Sequence, residues 1–194
     1  MKILLATRNT KKLVELQRIL IDVALVGLAD VPAYEEVPES GLTFEDNALI
    51  KAREGAARTG LPTVADDSGL AVDALNGMPG VFSARWSGRH GDDLANLSLV
   101  LAQIGDVPDG ARGASFVCAA ALALPDGREW TVRGEMSGRL IHEPRGEGGF
   151  GYDPIFVADG ETRTNAELSP GEKDAISHRG KAFRALAGII TGEL

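Results

Sequence analysis

The feature that most constrains this chain is a pair of adjacent acids, Asp66 and Asp67, which follows the apolar run Leu-Pro-Thr-Val-Ala and precedes Ser68 and Gly69. The negative charge of two carboxylates so close to a buried strand must be offset by a divalent cation, a basic side chain or a shared proton. Asp, Ser and Gly are also ordinary turn residues, so the same letters fit a strand that ends in a turn. Because neighbouring strand residues point to opposite faces, we expect only Asp67, the acid nearer the turn, to face a pocket.

Composition limits the class of protein and its partners. With 194 residues, 44% of them hydrophobic, the chain can bury the core of a single domain spanning 1–194. A formal net charge of -8 disfavours nucleic acid and anionic membranes as partners, and a small phosphorylated ligand would need locally gathered cations or bound metal. The N-terminus turns polar too early for a signal peptide, and no apolar stretch of about 18 residues occurs, so we expect a cytoplasmic protein. Cys118, the one cysteine, lies in an apolar run and is predicted to be a core residue.

Hydrophobic periodicity predicts strands that alternate with helices, which indicates an α/β fold. Helices are predicted at 11–22, 44–58, 92–104 and 170–190, and strands at 2–6, 62–66, 70–74, 114–124 and 129–133. Thr43 should cap the second helix and Gly60 should end it. The last helix carries the clearest start signal, a capping box with proline at the first helical position in Ser169-Pro170-Gly171-Glu172.

Two further segments are dense in residues that can carry chemistry. Gly146, Gly148 and Gly151 match a dinucleotide-binding pattern, but a proline follows where the helix should begin, so we interpret the segment as a loop. That loop either lies close to a flat ligand or is an ordinary loop whose Phe150 packs into the core. Lys173, His178 and Arg179 fall within two turns of the predicted last helix, where they either point into a pocket or form a solvated face. The sequence contains no Walker loop, no zinc-ligand spacing and no nucleophile elbow, which excludes those three classes of site.

Taken together, five segments of the chain resemble the inosine/xanthosine triphosphate pyrophosphatases. They are Thr7-x-Asn9-x-x-Lys12; Gly41-Leu42-Thr43-Phe44 with Asn47-Ala48 and Lys51-Ala52; Ala65-Asp66-Asp67-Ser68-Gly69-Leu70; Gly149-Phe150-Gly151-Tyr152-Asp153-Pro154; and Ser177-His178-Arg179-Gly180. The resemblance spans nearly the whole chain, although Arg8 replaces a glycine that is common in the family. It implies a mixed twisted sheet flanked by helices, two lobes with a central nucleotide-binding cleft, and a homodimer.

The resemblance also implies hydrolysis of ITP, dITP or XTP between the α and β phosphates, with Mg²⁺ as cofactor. It assigns Glu39 and Asp67 to the metal, Asp67 also to the attacking water, and Asp66 to the same cluster, while Lys12 and Lys51 supply positive charge for catalysis. The residues that it assigns to the purine nucleoside triphosphate are Thr7, Arg8, Asn9, Lys12, Ser68, Phe150, Gly151, Tyr152, Asp153, Lys173, His178 and Arg179. Donors aimed at a 6-keto oxygen would reject adenine, whose 6-amino group is itself a donor.

Three other functions stay open from the residues. A Maf-like pyrophosphatase would act on pyrimidine or modified nucleotides, and a nucleotide-binding regulator would hold metal without turnover. A phosphomonoesterase would use an aspartate nucleophile and release phosphate. The segment 78–82 with Trp86 is either an exposed apolar patch or part of the core.

Overall fold

The computed structural model describes residues 2–20, 24–35 and 37–193, with the side chain of Lys11 left out. The chain divides into two compact units. Unit 1 consists of Met1–Asp67, Cys118–Gly134 and His178–Leu194, and unit 2 consists of Ser68–Val117 and Glu135–Ser177. Each unit has its own hydrophobic core.

A six-stranded mixed sheet confirms the predicted α/β fold class. Its strands are β1 (Ile3–Leu5), β2 (Leu25–Gly27), β3 (Thr63–Val72), β4 (Gly113–Ala123), β5 (Glu129–Leu140) and β6 (Phe156–Ala158), in the order β2-β1-β3-β4-β5-β6. β1 pairs in parallel with both β2 and β3, whereas β5 and β6 are antiparallel. The three long strands, β3, β4 and β5, each contribute residues to both units.

Unit 1 contains helices α1 (Thr10–Ile19), α2 (Phe44–Thr59) and α5 (His178–Glu193). The predicted ends of α2 are confirmed, because the Thr43 hydroxyl accepts a hydrogen bond from the Asp46 N–H and Gly60 adopts a left-handed φ of 68°. Residues 21–22 of the first predicted helix lie outside the described residues. The core of unit 1 includes Leu16, Val64, Leu122, Phe183 and Leu186.

Unit 2 contains helices α3 (Asp93–Gln103) and α4 (Pro170–Ile176). Its core includes Leu70, Val100, Phe116, Ile155 and Phe156. Leu94, which the periodicity predicts on the apolar face of α3, is instead 73% exposed. Among the described residues, no helix has the length and apolar character needed to cross a membrane.

Two predicted boundaries are wrong. β3 runs without interruption through Asp66 and Asp67, where we predicted a turn, because ladder pairing and burial override the turn preference of Asp, Ser and Gly. The predicted last helix is two helices, since Ser177 leaves the helical conformation with ψ of 150° and its N–H bonds to the Lys173 carbonyl. Neither glycine nor proline stands at this break, but Ser177, a residue type favoured just before a helix begins, directly precedes α5.

Candidate active site

The loop after β1 builds the start of α1 and thereby positions Lys12. The Asn9 N–H donates to the Thr7 hydroxyl at 3.2 Å, and the Asn9 side-chain oxygen accepts from the Lys12 N–H at 3.2 Å. This is the hydrogen-bonding pattern of a helix N-cap. Arg8 is exposed, lies 3.5 Å from the Tyr34 carbonyl, and does not adopt a left-handed φ, so the loop holds arginine in place of glycine without backbone strain.

Asp66 lies in the middle of β3, 2% exposed, at the centre of a buried ion-pair network. Its Oδ2 accepts from the Lys12 ammonium at 2.8 Å and lies 3.5 Å from the Arg179 Nε. Burial by itself would raise the pKa of Asp66, but Lys12 and Arg179 outweigh it and hold that pKa well below the ordinary range. Asp66 is therefore an ionised carboxylate, and its partners are cationic side chains.

Glu15 is the residue of this network that sequence reasoning missed. Its Oε2 accepts from Arg179 at 2.5 Å, and both side chains are buried. Arg179 lies at the start of α5, which packs closely against Gly134 of β5. A side chain at Gly134 would prevent this packing, because its Cβ would lie 2.2 Å from the His178 carbonyl oxygen. Residue spacing could have predicted that Glu15 belongs to this network, because Glu15 follows Lys12 by three residues and so lies on the same face of α1.

Asp67 belongs to a second set of partners in unit 1. Its Oδ2 accepts from the Asn47 amide at 3.1 Å, and its Oδ1 lies 3.9 Å from the Lys51 ammonium, which also donates to Glu39 at 3.0 Å. Asn47 in turn accepts from the Gly41 N–H at 2.8 Å, and this bond ties the loop that carries Glu39 to α2. Asn47 and Lys51, four residues apart on α2, thus face the acids rather than solvent.

Electrostatics separates the two adjacent aspartates. Burial raises the pKa of Asp67, and Glu39 adds to the rise, whereas Lys51 and Lys12 oppose it. Burial lowers the pKa of Lys51, but Asp67, Asp66 and Glu39 together raise it above its usual value. Asp67 and Glu39 are thus two carboxylates near the Lys51 ammonium, and Glu39 disfavours the ionised form of Asp67.

The donor set at Glu39 and Asp67 fits a hard divalent cation. In the part of the chain that the structure describes, no three His, Cys, Asp or Glu side chains converge to form a metal site. Magnesium is commonly held by only one or two carboxylates together with substrate phosphates, and mutual repulsion between these two favours a cation close to them.

Asp153 organises the second group of predicted residues, which lies in unit 2. Its Oδ2 accepts from the Lys173 ammonium at 2.7 Å and from the Phe150 N–H at 2.8 Å, while its Oδ1 accepts from the Asn165 amide at 3.2 Å. The Lys173 ammonium also lies 5.1 Å from the centroid of the Phe150 ring. Gly149 makes this packing possible, since its φ is 71° and a Cβ there would meet Asp153 Oδ2 at 2.1 Å.

Tyr152 and Gly151 anchor the loop within unit 2. The buried Tyr152 hydroxyl donates to the Ser83 carbonyl at 2.7 Å, and burial, followed by Asp93, raises the pKa of the phenol. The Gly151 N–H donates to Asp93 at 3.1 Å. The structure therefore places Tyr152 in the core of unit 2, although its position in the motif predicts a place at the nucleoside.

The remaining predicted residues divide between the two units. Ser68 is half-buried in β3 and belongs to unit 2, whereas His178 is buried at the start of α5 and belongs to unit 1 with Arg179. Lys173 lies on α4 in unit 2, so the three side-chain donors predicted on one helix, Lys173, His178 and Arg179, lie on two. Cys118 is a buried core residue, as predicted, and burial raises the pKa of its thiol, with Asp66 adding to the rise.

Comparison with known proteins gives consistent matches along almost the entire chain. The model of the Ham1 family matches residues 3–189. A curated protein of Nocardia farcinica named dITP/XTP pyrophosphatase is 65% identical over 190 residues, covering 95% of this chain and 92% of that protein. A crystal structure from Mycobacterium abscessus, described as a nucleoside-triphosphatase and dITP/XTP pyrophosphatase, is 66% identical, with a TM-score of 0.81 and coverage of 96% and 98%. A HAM1 protein from Coxiella burnetii is 43% identical, with a TM-score of 0.89 and coverage of 99% of each chain.

Proposed function

This chain belongs to the Ham1 family, and on that premise we propose that it hydrolyses dITP, XTP and ITP to the nucleoside monophosphate and pyrophosphate. The name carried by its relatives supports dITP and XTP, and ITP shares the 6-keto group of both. In the reaction, a water oxygen forms a bond to the α phosphorus, the bond between that phosphorus and the α–β bridging oxygen breaks, and the bridging oxygen leaves with pyrophosphate.

The observation that carries the proposal is the concentration of charge in unit 1. In a chain with a net charge of -8, the cations Lys12, Lys51 and Arg179 are all held beside Asp66 or Asp67. Such an arrangement can accept the negative charge of a triphosphate while keeping carboxylates close to the reacting bond.

We assign the metal to Glu39 and Asp67 as a proposal. Bound there, Mg²⁺ would neutralise phosphate charge and polarise the bond that breaks. Lys51, which contacts Glu39 and lies near Asp67, keeps the two carboxylates close to each other before the substrate arrives.

We also assign roles to Asp67 and to the residues at the start of α1, guided by their contacts. Asp67 accepts the proton of the attacking water, and the Asn47 amide orients it by holding its Oδ2. Lys12, at the start of α1, contributes an ammonium and the helix N-terminus to the phosphates. Thr7 and Asn9 maintain that helix start, because the Asn9 side chain accepts the Lys12 N–H and the Thr7 hydroxyl accepts the Asn9 N–H.

Base selection is assigned to the group around Asp153 in unit 2. The Phe150 ring offers a face for stacking, and Lys173 offers a donor that suits the 6-keto oxygen of hypoxanthine and xanthine. Adenine presents an amino group at that position, so the lysine N–H directed at the base would lack an acceptor and ATP would be rejected. His178 and Arg179 remain predicted contacts of the base edge.

A nucleotide panel tests the function. The protein is incubated with dITP, XTP, ITP, GTP and ATP, with Mg²⁺ or with a chelator, and pyrophosphate and phosphate are measured separately. We expect pyrophosphate from dITP, XTP and ITP only when Mg²⁺ is present. Binding without turnover would support a regulator, release of phosphate would support a phosphomonoesterase, and similar kcat/KM for ATP and ITP would contradict the assignment of base selection.

We also propose that the protein acts in the cytoplasm and as a homodimer. The single buried cysteine suits a reducing compartment. Met78 and Phe82, which are 38% and 40% exposed in unit 2, supply apolar surface that a second copy could cover, whereas Trp86 is partly buried and donates to Gln103. Light scattering coupled to gel filtration gives the mass, and a monomer at micromolar concentration would contradict the dimer.

A further inference from the structure

Asp153 is held by donors from three separate segments of unit 2. Lys173 reaches it from α4, the Phe150 N–H from the glycine-rich loop, and Asn165 from a short 3-10 turn that spans Asn165–Glu167. The Asp153 and Asn165 side chains are both buried, with relative exposures of 3% and 1%. The carboxylate thus links the loop, the turn and the helix.

Asn165 contributes one hydrogen bond to this network. Because a carboxylate only accepts, the amide must present its nitrogen to Asp153, and its Oδ1 then lies buried without a donor from the described residues. A buried amide with an unsatisfied oxygen is less favourable for stability than an apolar side chain of the same shape. The benefit of asparagine here is therefore its contact with Asp153 rather than the stability of the fold.

The turn that carries Asn165 is fixed without the amide. The Thr164 N–H donates to the Glu167 carboxylate at 2.7 Å, and the Thr164 hydroxyl donates to the Arg145 carbonyl at 2.7 Å. The Ala166 carbonyl accepts from the Gly148 N–H at 3.0 Å. Removing the Asn165 amide should therefore leave the backbone of the turn in place.

We propose that Asn165 is a positioning residue for recognition of the base. It fixes Oδ1 of Asp153, so that Oδ2 holds the Lys173 ammonium and the Phe150 N–H in one geometry. Without the amide, the Asp153 carboxylate can rotate, and the donor and the ring that we assign to the base lose their fixed positions. The inference rests on the proposed function, and it predicts weaker substrate binding with little change in the chemical step.

Steady-state kinetics of Asn165→Leu tests the inference. We expect KM for dITP and XTP to rise about 5- to 10-fold while kcat stays within about twofold, since only binding contacts are lost. Asn96→Leu is the matched control, because Asn96 is equally buried in unit 2 and accepts a hydrogen bond from the Ser87 N–H at 2.8 Å. That control should lower the melting temperature and leave KM unchanged. If Asn165→Leu does not fold, Asn165→Ser, whose side chain is too short to reach Asp153, replaces it with the same expectation.

Asn165→Asp adds a readout that a purely structural role would not produce. It places a second carboxylate next to Asp153, whose ion-pair partner among the described residues is Lys173, while Glu167 of the same turn pairs with Arg145. Ionised, the introduced acid repels Asp153; protonated, it donates to Asp153 as the amide does. The ratio of variant to wild-type KM should therefore be large near pH 8 and fall towards 1 near pH 6, whereas the ratio for Asn165→Leu should stay constant.

The outcomes separate this inference from the proposed function. A wild-type protein that releases no pyrophosphate from dITP or XTP contradicts the proposed function. A wild-type protein that is active, with an Asn165→Leu variant of unchanged KM or a pH-independent ratio for Asn165→Asp, overturns the role of Asn165 alone.

Discussion

Replacing each of the two adjacent acids by asparagine should have opposite consequences for stability. Folding favours the ionised form of Asp66, whose pKa is held low by Lys12 and Arg179 despite its burial. Folding disfavours the ionised form of Asp67, whose pKa is raised chiefly by burial. Asp66→Asn should therefore lower the free energy of unfolding, whereas Asp67→Asn should leave it unchanged or raise it.

The size of the difference follows from the contacts. Asp66→Asn leaves the buried Arg179 and the partly buried Lys12 with one acid fewer, and breaking a buried pair in this way costs about 3–5 kcal/mol. For a chain of this length, that corresponds to a melting temperature lower by about 6–20 °C. Asp67→Asn keeps an acceptor for the Asn47 amide, so the free energy of unfolding should change by less than about 1 kcal/mol or should increase.

Thermal melting and pyrophosphate release measure both effects on the same samples. We expect Asp67→Asn to lose activity by about 10²-fold or more while its melting temperature is maintained. Asp126→Asn, at an exposed turn, is the control for the chemical change and should alter neither quantity. An Asp66→Asn variant as stable as wild type, or an Asp67→Asn variant that is strongly destabilised, would refute this reasoning.

Three further predictions concern single contacts. Lys12→Met should lower kcat by about 10²–10³-fold and should also lower the melting temperature, because buried Asp66 loses one of its cationic partners; Arg53→Met, which removes an exposed ion pair, should leave the rate of pyrophosphate release unchanged, and equal losses of rate would contradict a specific role for Lys12. Glu39→Gln should raise the Mg²⁺ concentration needed for half-maximal activity about 10-fold, and an unchanged Mg²⁺ titration would remove Glu39 from the metal site. Gly149→Ala should raise KM for XTP, because the added methyl group would collide with Asp153. Gly160 has a similar positive φ but open space around it, so Gly160→Ala should only lower the melting temperature. Equal KM values for the two variants would argue against a collision with Asp153.

Sequence reasoning succeeded where local chemistry determines the structure. Thr43 and Gly60 delimit α2, and the capping box at Ser169 starts α4, because each of these residues satisfies backbone groups within a few positions. The grouping of Lys12 with Asp66 needed more, since 54 residues separate them. The resemblance to a family assigned both residues to one active site, which periodicity could not do, but it did not predict their ion pair.

The failures arise where tertiary packing overrides local preference. Asp66 and Asp67 resemble a turn, yet β3 continues through them because sheet pairing and nearby cations make the extended conformation stable. Ser177 interrupts the predicted last helix, and neither glycine nor proline stands at that break. Asn165 stands in a turn where asparagine is unremarkable, and its contact with Asp153 emerges only from the folded chain.

Cys118 gives the protein an internal chemical reporter. It is the chain's one thiol, it is fully enclosed, and its raised pKa keeps it protonated at neutral pH. Alkylating reagents react only with a thiolate that is exposed to solvent, so Cys118 can be modified only when the structure around β4 opens. The rate of alkylation therefore measures how often unit 1 opens, without any label having to be introduced.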